Sequence, residues 1–218
     1  MRAGVLLRSA LPAATDAAPD GMRWPPLLVV DLRSANEAAG GHPLAGLGVE
    51  IRRISLLEAL RPDGPQSANP AAAEAMRDGG LTALYLGMLQ VATDEIVEVV
   101  TQVADNEGPT LVHCAAGKDR TGVIIALMLG VVGVPRAEVV ADYLKTGEYM
   151  AAVLARLVTQ PGVIPGRRSR ASHLELPVEA IEATLDFWVD HEGGAAGWLD
   201  AISGDRGLAE RLRKRLVG

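Results

Sequence analysis

One cysteine and one arginine, with five residues between them, have the types and spacing to do chemistry together. Cys114 is the single cysteine of the chain, and Arg120 follows it across the segment 115–119. A loop of this length can wrap around one tetrahedral oxyanion, with successive backbone N–H groups pointing at its oxygens. Arg120 can add a planar, two-pronged hydrogen-bond donor to the same anion. The spacing therefore predicts an anion-binding loop over residues 114–120, called the anion loop below.

The thiol in such a loop can act as a nucleophile. An apolar stretch at 123–132 follows the loop as a helix would, and a helix N-terminus and a nearby cation both stabilise a thiolate. Attack of this thiolate on phosphorus gives a phosphocysteine, which water hydrolyses in a second step. The sequence thus predicts Cys114 as the nucleophile and Arg120 as the residue that holds the phosphoryl group.

The other residues around the loop have predicted substrate-binding roles. The backbone expected to contact the phosphate is that of Ala115, Ala116 and Gly117, where glycine permits close approach. His113 would orient the loop by hydrogen bonding rather than bind a metal, and Thr121 would donate to the thiolate; ordinary packing or helix capping is the alternative for both. Lys118 would add positive charge and contact a second phosphate, unless it is a solvated charge that only tunes the loop.

Strand and helix patterns around the loop predict an α/β domain with a largely parallel sheet. Apolar runs at 27–32 and 110–113 indicate buried strands, and the alternation at 49–54 indicates a half-exposed one. The first predicted helix runs from a cap at Thr93 to Gly108, and a second follows the anion loop directly. Further helices are predicted to begin at Pro135, to span 148–158, to run from Pro177 to Gly193, and to contain Leu208, Leu212 and Leu216.

Composition and charge exclude several classes of protein. The 218 residues are 49% hydrophobic, which excludes disorder and favours one domain over 1–218. A net charge of −6 argues against nucleic-acid binding, which needs a basic face. One cysteine permits neither an internal disulfide nor a cysteine-based zinc site. The remaining histidines, at 42, 173 and 191, have no metal-ligand spacing, so no metal site is predicted.

The chain is also expected to lack a membrane span. Its longest apolar run, 122–134, is shorter than the roughly 18 residues that a spanning helix needs. Residues 1–10 contain no sustained apolar segment of the kind found in secretory signals. We therefore expect a cytoplasmic location, with export by a non-Sec route left open.

Residues 113–122, HCAAGKDRTG, resemble the signature of cysteine-dependent protein tyrosine phosphatases. The Lys118–Asp119 pair resembles the bacterial PtpB-like subgroup of atypical tyrosine and dual-specificity phosphatases, some of which act on phosphoinositides. Less specific agreement extends over nearly the whole chain and includes Arg8, Ser9, the VDLRS string at 30–34, Glu37, Asp142 and Tyr143. The resemblance implies a tyrosine-phosphatase-like fold, with a central, mostly parallel sheet wrapped by helices and with neither metal nor organic cofactor. It implies phosphotyrosine substrates, with phosphoserine, phosphothreonine or phosphoinositides as further candidates, and inorganic phosphate as product.

Three aspartates are candidates for the general acid. The resemblance implies Asp119, although the cations Lys118 and Arg120 flank it and oppose proton donation. A bound phosphate dianion would act in the opposite direction. Asp31, at the end of a predicted buried strand, could reach the same rim of the sheet; the alternative is a salt bridge that positions Arg33 or Arg120.

The third candidate, Asp63, lies in the Pro- and Gly-rich segment 61–80. Its Pro-Asp-Gly string is also that of an ordinary turn. The segment itself is interpreted either as a mobile flap over the site or as a plain surface loop.

Two other classes of function remain open for this motif. The chain could bind phosphate or phosphopeptides without turnover, as a pseudophosphatase. It could also be another thiol enzyme, such as a sulfurtransferase. An arsenate reductase is less favoured, because a lone cysteine leaves an internal disulfide relay without a partner.

Overall fold

Four short parallel strands form one sheet. In chain order they are β1 (Leu6–Ser9), β2 (Leu28–Asp31), β3 (Glu50–Arg53) and β4 (Thr110–His113). Across the sheet the order is β1-β4-β2-β3, and every neighbouring pair is parallel. The computed structural model describes residues 1–18, 20–58, 80–157 and 176–218. The predicted α/β class with a parallel sheet is confirmed.

Seven helices accompany the sheet in these described ranges. They are α1 (Gly80–Val91), α2 (Thr93–Asp105), α3 (Asp119–Val131), α4 (Arg136–Leu157), α5 (Val178–Val189), α6 (Gly194–Ser203) and α7 (Leu208–Leu216). The central helix is α3, which packs against α4, α5, α6 and α7. Eleven of its thirteen residues are buried, as expected for a helix that is apolar on all sides. The anion loop therefore leads into the most buried of the described helices.

Alternation along the strands divides the core in two. Val30 and Val112 belong to a large cluster that includes the helices. Their neighbours Val29 and Leu111 belong to a smaller cluster with Leu44, because successive side chains of a strand point to opposite faces. The two central strands, β2 and β4, are buried along their whole length. Their carboxyl ends, where the anion loop begins, are thus held on both faces of the sheet.

Two helix predictions need correction. Thr93 does not cap α2 but is its first residue, after Ala92. Ala92 donates its N–H to the carbonyl of Met88 and accepts from Ile96, so this one residue links α1 and α2 and leaves no capping position for Thr93. The separate helix predicted over 148–158 is the second half of α4, which continues through Gly147. An added Cβ at Gly147 would lie 2.6 Å from Leu176 Cδ1, so close packing explains this glycine.

Other elements were missed or lie outside the described residues. Strand β1 and helices α1 and α6 were not predicted, and residues 61–79 of the predicted flap, with Asp63, are outside the described ranges. Within those ranges, no helix combines the length and the apolarity that crossing a membrane requires.

Candidate active site

The anion loop joins the carboxyl end of β4 to the N-terminus of α3. Cys114 follows the last residue of β4, and Arg120 lies in the first turn of α3. Gly117 is in the left-handed region, with φ of +67°. An added Cβ there would lie 2.4 Å from the carbonyl oxygen of Ser9. Only glycine lets the loop turn this closely against β1.

Two buried histidines have tautomers that follow from their partners. Leu44 donates its N–H to His42 Nδ1 (3.1 Å), so the neutral His42 carries its hydrogen on Nε2. That hydrogen faces His113 Nε2, 2.9 Å away. His113 therefore carries its own hydrogen on Nδ1, which faces the carbonyl oxygen of Cys114 at 3.0 Å. The predicted orienting role of His113 thus has a specific contact.

The pKa values of both histidines agree with neutral rings. Burial, and then the proximity of His113, lowers the pKa of His42 to about 4. Burial also lowers the pKa of His113. His42 was given no role from the sequence, because nothing in its local pattern links it to a residue 71 positions later.

Three carbonyl oxygens of the anion loop are bound from outside. The donors are His113 Nδ1 to the carbonyl of Cys114 (3.0 Å), the N–H of Leu11 to that of Ala115 (3.0 Å), and Arg8 Nη2 to that of Gly117 (2.9 Å). In a trans peptide the N–H points away from the C=O. The following N–H groups, those of Ala115, Ala116 and Lys118, therefore point away from these three outside donors.

Arg8 connects the loop to helix α4. Besides the Gly117 carbonyl, it donates to Asp142 (2.5 Å) and to Thr146 Oγ1 (2.9 Å). Its role was not foreseen, although Arg8 and Asp142 both belong to the less specific part of the resemblance.

Glu37 holds the guanidinium of Arg120 along one edge. Its carboxylate accepts from Nη1 (2.7 Å) and Nη2 (2.8 Å), and Nη1 also donates to the carbonyl of Leu32 (3.2 Å). The opposite edge, formed by Nε–H and the second Nη2 hydrogen, has no partner among the described residues. This is the edge that can donate two hydrogen bonds to a phosphate.

Glu37 and Arg120 both stay charged over the ordinary pH range. Burial alone would raise the pKa of Glu37, but the hydrogen bonds and charge of Arg120, with bonds from Ser34, lower it to about 2. Burial would lower the pKa of Arg120, and the negative charges at Cys114 and Glu37 raise it instead. The pattern Ser34-x-x-Glu37 matches a capping box, a signal from which the contact of Ser34 with Glu37 could have been found.

Asp31 is completely buried and bound on both oxygens. Arg33 donates to Oδ1 through Nε (2.9 Å) and to Oδ2 through Nη2 (2.8 Å). Burial would raise the pKa of Asp31, but the hydrogen bonds from Arg33 and the positive charge of Arg33 lower it. This geometry favours the salt-bridge interpretation of Asp31 over that of a proton donor.

Asp31, His42 and His113 together have the side-chain types of a metal site, with one ligand atom of each within 4.8 Å of the others. Hydrogen bonds account for all three groups, however. Both oxygens of Asp31 are bound by Arg33, and the two Nε2 atoms share one hydrogen. The cluster is a hydrogen-bonded framework beneath the anion loop.

Asp119 begins α3, and its side chain is 28% exposed. The hydroxyl of Tyr85 lies 2.8 Å from Asp119 Oδ1, and Lys118 Nζ lies 3.6 Å from the same oxygen. Because the Lys118 side chain is only 3% exposed, the solvated-charge alternative for it is wrong. Tyr85 carried no signal in the sequence.

Cys114 is buried at the base of the loop, with 2% exposure. Thr121 is fully buried, and in the described part of the chain its Oγ1 has no hydrogen-bond partner. The structure therefore does not contain the predicted bond from Thr121 to Cys114.

Comparison with known proteins identifies the family of the chain. A family model described as the tyrosine phosphatase family matches residues 1–218. The chain is 29% identical over 200 residues to a tyrosine-protein phosphatase of Nostoc commune, covering 87% of this chain and 65% of that protein. It is 33% identical over 132 residues to the triple specificity protein phosphatase PtpB of Mycobacterium tuberculosis, covering 55% of this chain and 48% of that protein. These alignments thus cover about half to two thirds of the length of these curated relatives. The chain belongs to the tyrosine phosphatase family.

Proposed function

We propose that this protein is a metal-independent phosphatase that hydrolyses phosphotyrosine through a phosphocysteine on Cys114. One observation carries the proposal: the thiol lies at the base of a loop whose carbonyls at Cys114, Ala115 and Gly117 are all bound from outside. The N–H groups that alternate with them, and the open edge of Arg120, can then surround a phosphoryl group above the sulfur. Such fixed dipoles stabilise the charge that develops during transfer.

The reaction has two displacement steps. First, the Cys114 thiolate attacks phosphorus; an S–P bond forms, the ester P–O bond breaks, and the leaving oxygen takes a proton from Asp119. Water then attacks the phosphocysteine and gives a proton back to Asp119. The S–P bond breaks, inorganic phosphate leaves, and the thiolate is restored. Arg120 holds the phosphoryl oxygens in both steps.

Asp119 is proposed as the general acid because it is partly exposed, whereas Asp31 is not. Asp119 lies at the start of α3 with one oxygen, Oδ2, unbound among the described residues. Asp31 is buried and bound twice by Arg33. A carboxylate held in this way as an ion has no proton to donate near neutral pH.

The substrate range is proposed to follow that of the PtpB-like subgroup. The Lys118–Asp119 pair and the similarity to PtpB of Mycobacterium tuberculosis support hydrolysis of phosphoserine, phosphothreonine and phosphoinositides beside phosphotyrosine. We also propose that residues 1–218 form one domain, which the extent of the family match supports.

Hydrolysis of p-nitrophenyl phosphate in the presence of EDTA, from pH 5 to 8, tests this function. We expect Cys114→Ser to lose at least about 1,000-fold in kcat/KM. Asp119→Asn should lose about 100-fold with phosphotyrosine, whose leaving group needs a proton. Asp31→Asn should chiefly lower stability, and the exposed Asp186→Asn should match the wild type.

The contrary outcomes are equally specific. Turnover by Cys114→Ser would exclude the phosphocysteine. A folded wild type that binds phosphate without turnover would make it a binding protein, and sulfur transfer from thiosulfate would make it a sulfurtransferase.

A further inference from the structure

Two tyrosines form a hydrogen-bonded chain that ends on the proposed acid. Tyr85 on α1 is fully buried, and Tyr143 on α4 is 1% exposed. Their hydroxyl oxygens are 2.8 Å apart, and the Tyr85 hydroxyl is also 2.8 Å from Asp119 Oδ1. Three helices, α1, α3 and α4, thus bring these three side chains together.

The direction of the hydrogen bonds follows from the number of hydrogens. An ionised Asp119 only accepts, so Tyr85 must donate its one hydrogen to Oδ1. Tyr143 must then donate to the Tyr85 oxygen. Burial, and then the charge of Asp119, raises the pKa of Tyr85, and burial raises the pKa of Tyr143 to about 12. Both hydroxyls therefore keep their hydrogens over the working pH range.

The two oxygens of Asp119 are consequently different. Oδ1 accepts from Tyr85 and lies 3.6 Å from the ammonium of Lys118. Oδ2 has no hydrogen-bond partner in the described part of the chain. When Asp119 takes up a proton, Oδ1 already accepts a hydrogen bond from Tyr85 and remains the carbonyl oxygen. The proton therefore goes to Oδ2.

We propose that Tyr85, backed by Tyr143, is a positioning residue that fixes the carboxyl of Asp119 and keeps its proton on Oδ2 for the leaving group. This inference rests on the proposed function, in which Asp119 is the acid. An acid without such a restraint would divide its proton between two oxygens and several rotamers. Proton transfer would then lose much of the advantage of a fixed geometry.

The packing around Tyr143 shows how its ring is accommodated beside α3. An added Cβ at Gly122, the last residue of the HCAAGKDRTG motif, would lie 3.0 Å from the ring of Tyr143. The ring also meets Tyr85 edge to face, with centroids 6.3 Å apart. The small residue in the first turn of α3 thus leaves room for the second tyrosine of the chain.

The test uses aryl phosphates whose leaving phenols differ in basicity, and it measures kcat/KM for each. A positioned acid makes the rate nearly independent of leaving-group basicity. We expect Tyr85→Phe to stay within about 3-fold of wild type with p-nitrophenyl phosphate, and to fall about 10-fold or more with phenyl phosphate and phosphotyrosine. Tyr143→Phe should show a weaker form of the same effect. Tyr149→Phe, on the same helix but 63% exposed, is the matched control and should equal wild type.

The outcomes separate this inference from the proposed function. Thermal unfolding of each variant is compared with wild type, and Tyr143→Phe provides a second variant if Tyr85→Phe folds poorly. An equal loss of kcat/KM for all substrates would mean a merely structural role and would overturn the inference. The inference would also be overturned if Asp119→Asn steepened the dependence of kcat/KM on leaving-group basicity while Tyr85→Phe left that dependence unchanged. The proposed function would then still stand. Turnover by Cys114→Ser would overturn the proposed function itself.

Discussion

Glu37 decides which edge of Arg120 is left for substrate. The carboxylate takes one hydrogen from each of Nη1 and Nη2, and the Leu32 carbonyl takes the second hydrogen of Nη1. An arginine without this partner could rotate and present its donors in several ways. By forming this ion pair, Glu37 holds the guanidinium of Arg120 in one orientation, with its other edge open for a phosphate.

The substitution Glu37→Gln should weaken phosphate binding and turnover. Glutamine has one acceptor oxygen where glutamate has two, and its amide N–H₂ would face one of the Arg120 nitrogens. One hydrogen bond and the negative charge are therefore lost. We expect kcat/KM for p-nitrophenyl phosphate to fall about 10- to 100-fold. Because the pKa of Glu37 is lowered to about 2, the wild-type pair is intact at every pH from 5 to 8, and the loss should be constant over that range.

The matched control is Glu50→Gln, which removes the carboxylate of the exposed pair with Arg52 on β3. An exposed pair of this kind contributes little, and activity should be unchanged. If both variants behave alike, Glu37 has no role in holding Arg120 for the substrate.

The sequence predicted the side chains near the reacting atoms better than the side chains that support them. Cys114 and Arg120 lie in one short loop, so their spacing alone predicts the anion site. His42, Tyr85 and Arg8 reach that loop from distant elements, and a single sequence contains no measure of such distances. Lys118 shows a related difficulty, since its charge left both a phosphate contact and a solvated side chain open, and only the packing shows its burial.

At the scale of elements, β1 and the anion loop are packed so closely that one glycine joins them. The carbonyl of Ser9 occupies the space where a side chain at position 117 would begin. The same strand supplies Arg8, which binds the Gly117 carbonyl. Close packing and the Arg8 bond therefore fix the same peptide, and both would be disturbed by a single added methyl group.

A comparison of Gly117→Ala with Gly133→Ala separates close packing from backbone strain. Both glycines have positive φ, +67° and +81°, so both variants carry the left-handed penalty of about 1–2 kcal/mol. At Gly133 no atom lies within 4 Å of an added Cβ, whereas at Gly117 Ser9 O lies at 2.4 Å. We expect Gly133→Ala to lose about 1 kcal/mol in the free energy of unfolding, and Gly117→Ala to lose more than about 3 kcal/mol.

Chemical denaturation measures both free energies, and kcat/KM of the folded fraction adds a second observable. Gly133→Ala should keep full activity, because the residue lies between α3 and α4, away from the loop. Equal destabilisation of the two variants would show that β1 yields to the added methyl group.

Secondary-structure elements were predicted best where an apolar pattern lies next to the anion loop. The strand–loop–helix unit from β4 to α3 was predicted because an apolar run, a short loop and a second apolar run follow one another. Strand β1 was missed because its four residues, LLRS, include two polar side chains and are all only half-buried. The predicted break in α4 failed for a different reason: Gly147 is close-packed against Leu176, and tertiary contact outweighed its low helix propensity.

For the molecule as a whole, net charge and local charge have opposite implications. The chain carries −6, yet the proposed function requires its site to bind a phosphate dianion. The cations at the loop are already paired, Arg8 with Asp142, Lys118 with Asp119 and Arg120 with Glu37. Anion affinity must therefore come chiefly from the inward N–H groups, the α3 dipole and the open edge of Arg120. These short-range dipoles depend little on the overall charge of the protein.

Inorganic phosphate should consequently stabilise the whole fold. A ligand that binds only the native state at 100 times its Kd contributes about 2.7 kcal/mol, or about 5–10 °C in Tm for a chain of this size. We expect this rise in thermal unfolding with phosphate, measured against sodium chloride at equal ionic strength. Cys114→Ser should keep the rise, because the hydroxyl leaves the N–H groups in place. Arg120→Lys should lose most of it relative to its own phosphate-free Tm, while Arg136→Lys, an exposed pair with Asp186, should retain it. A rise that is the same in Arg120→Lys as in wild type would place the phosphate elsewhere and separate the stability of the fold from the anion loop.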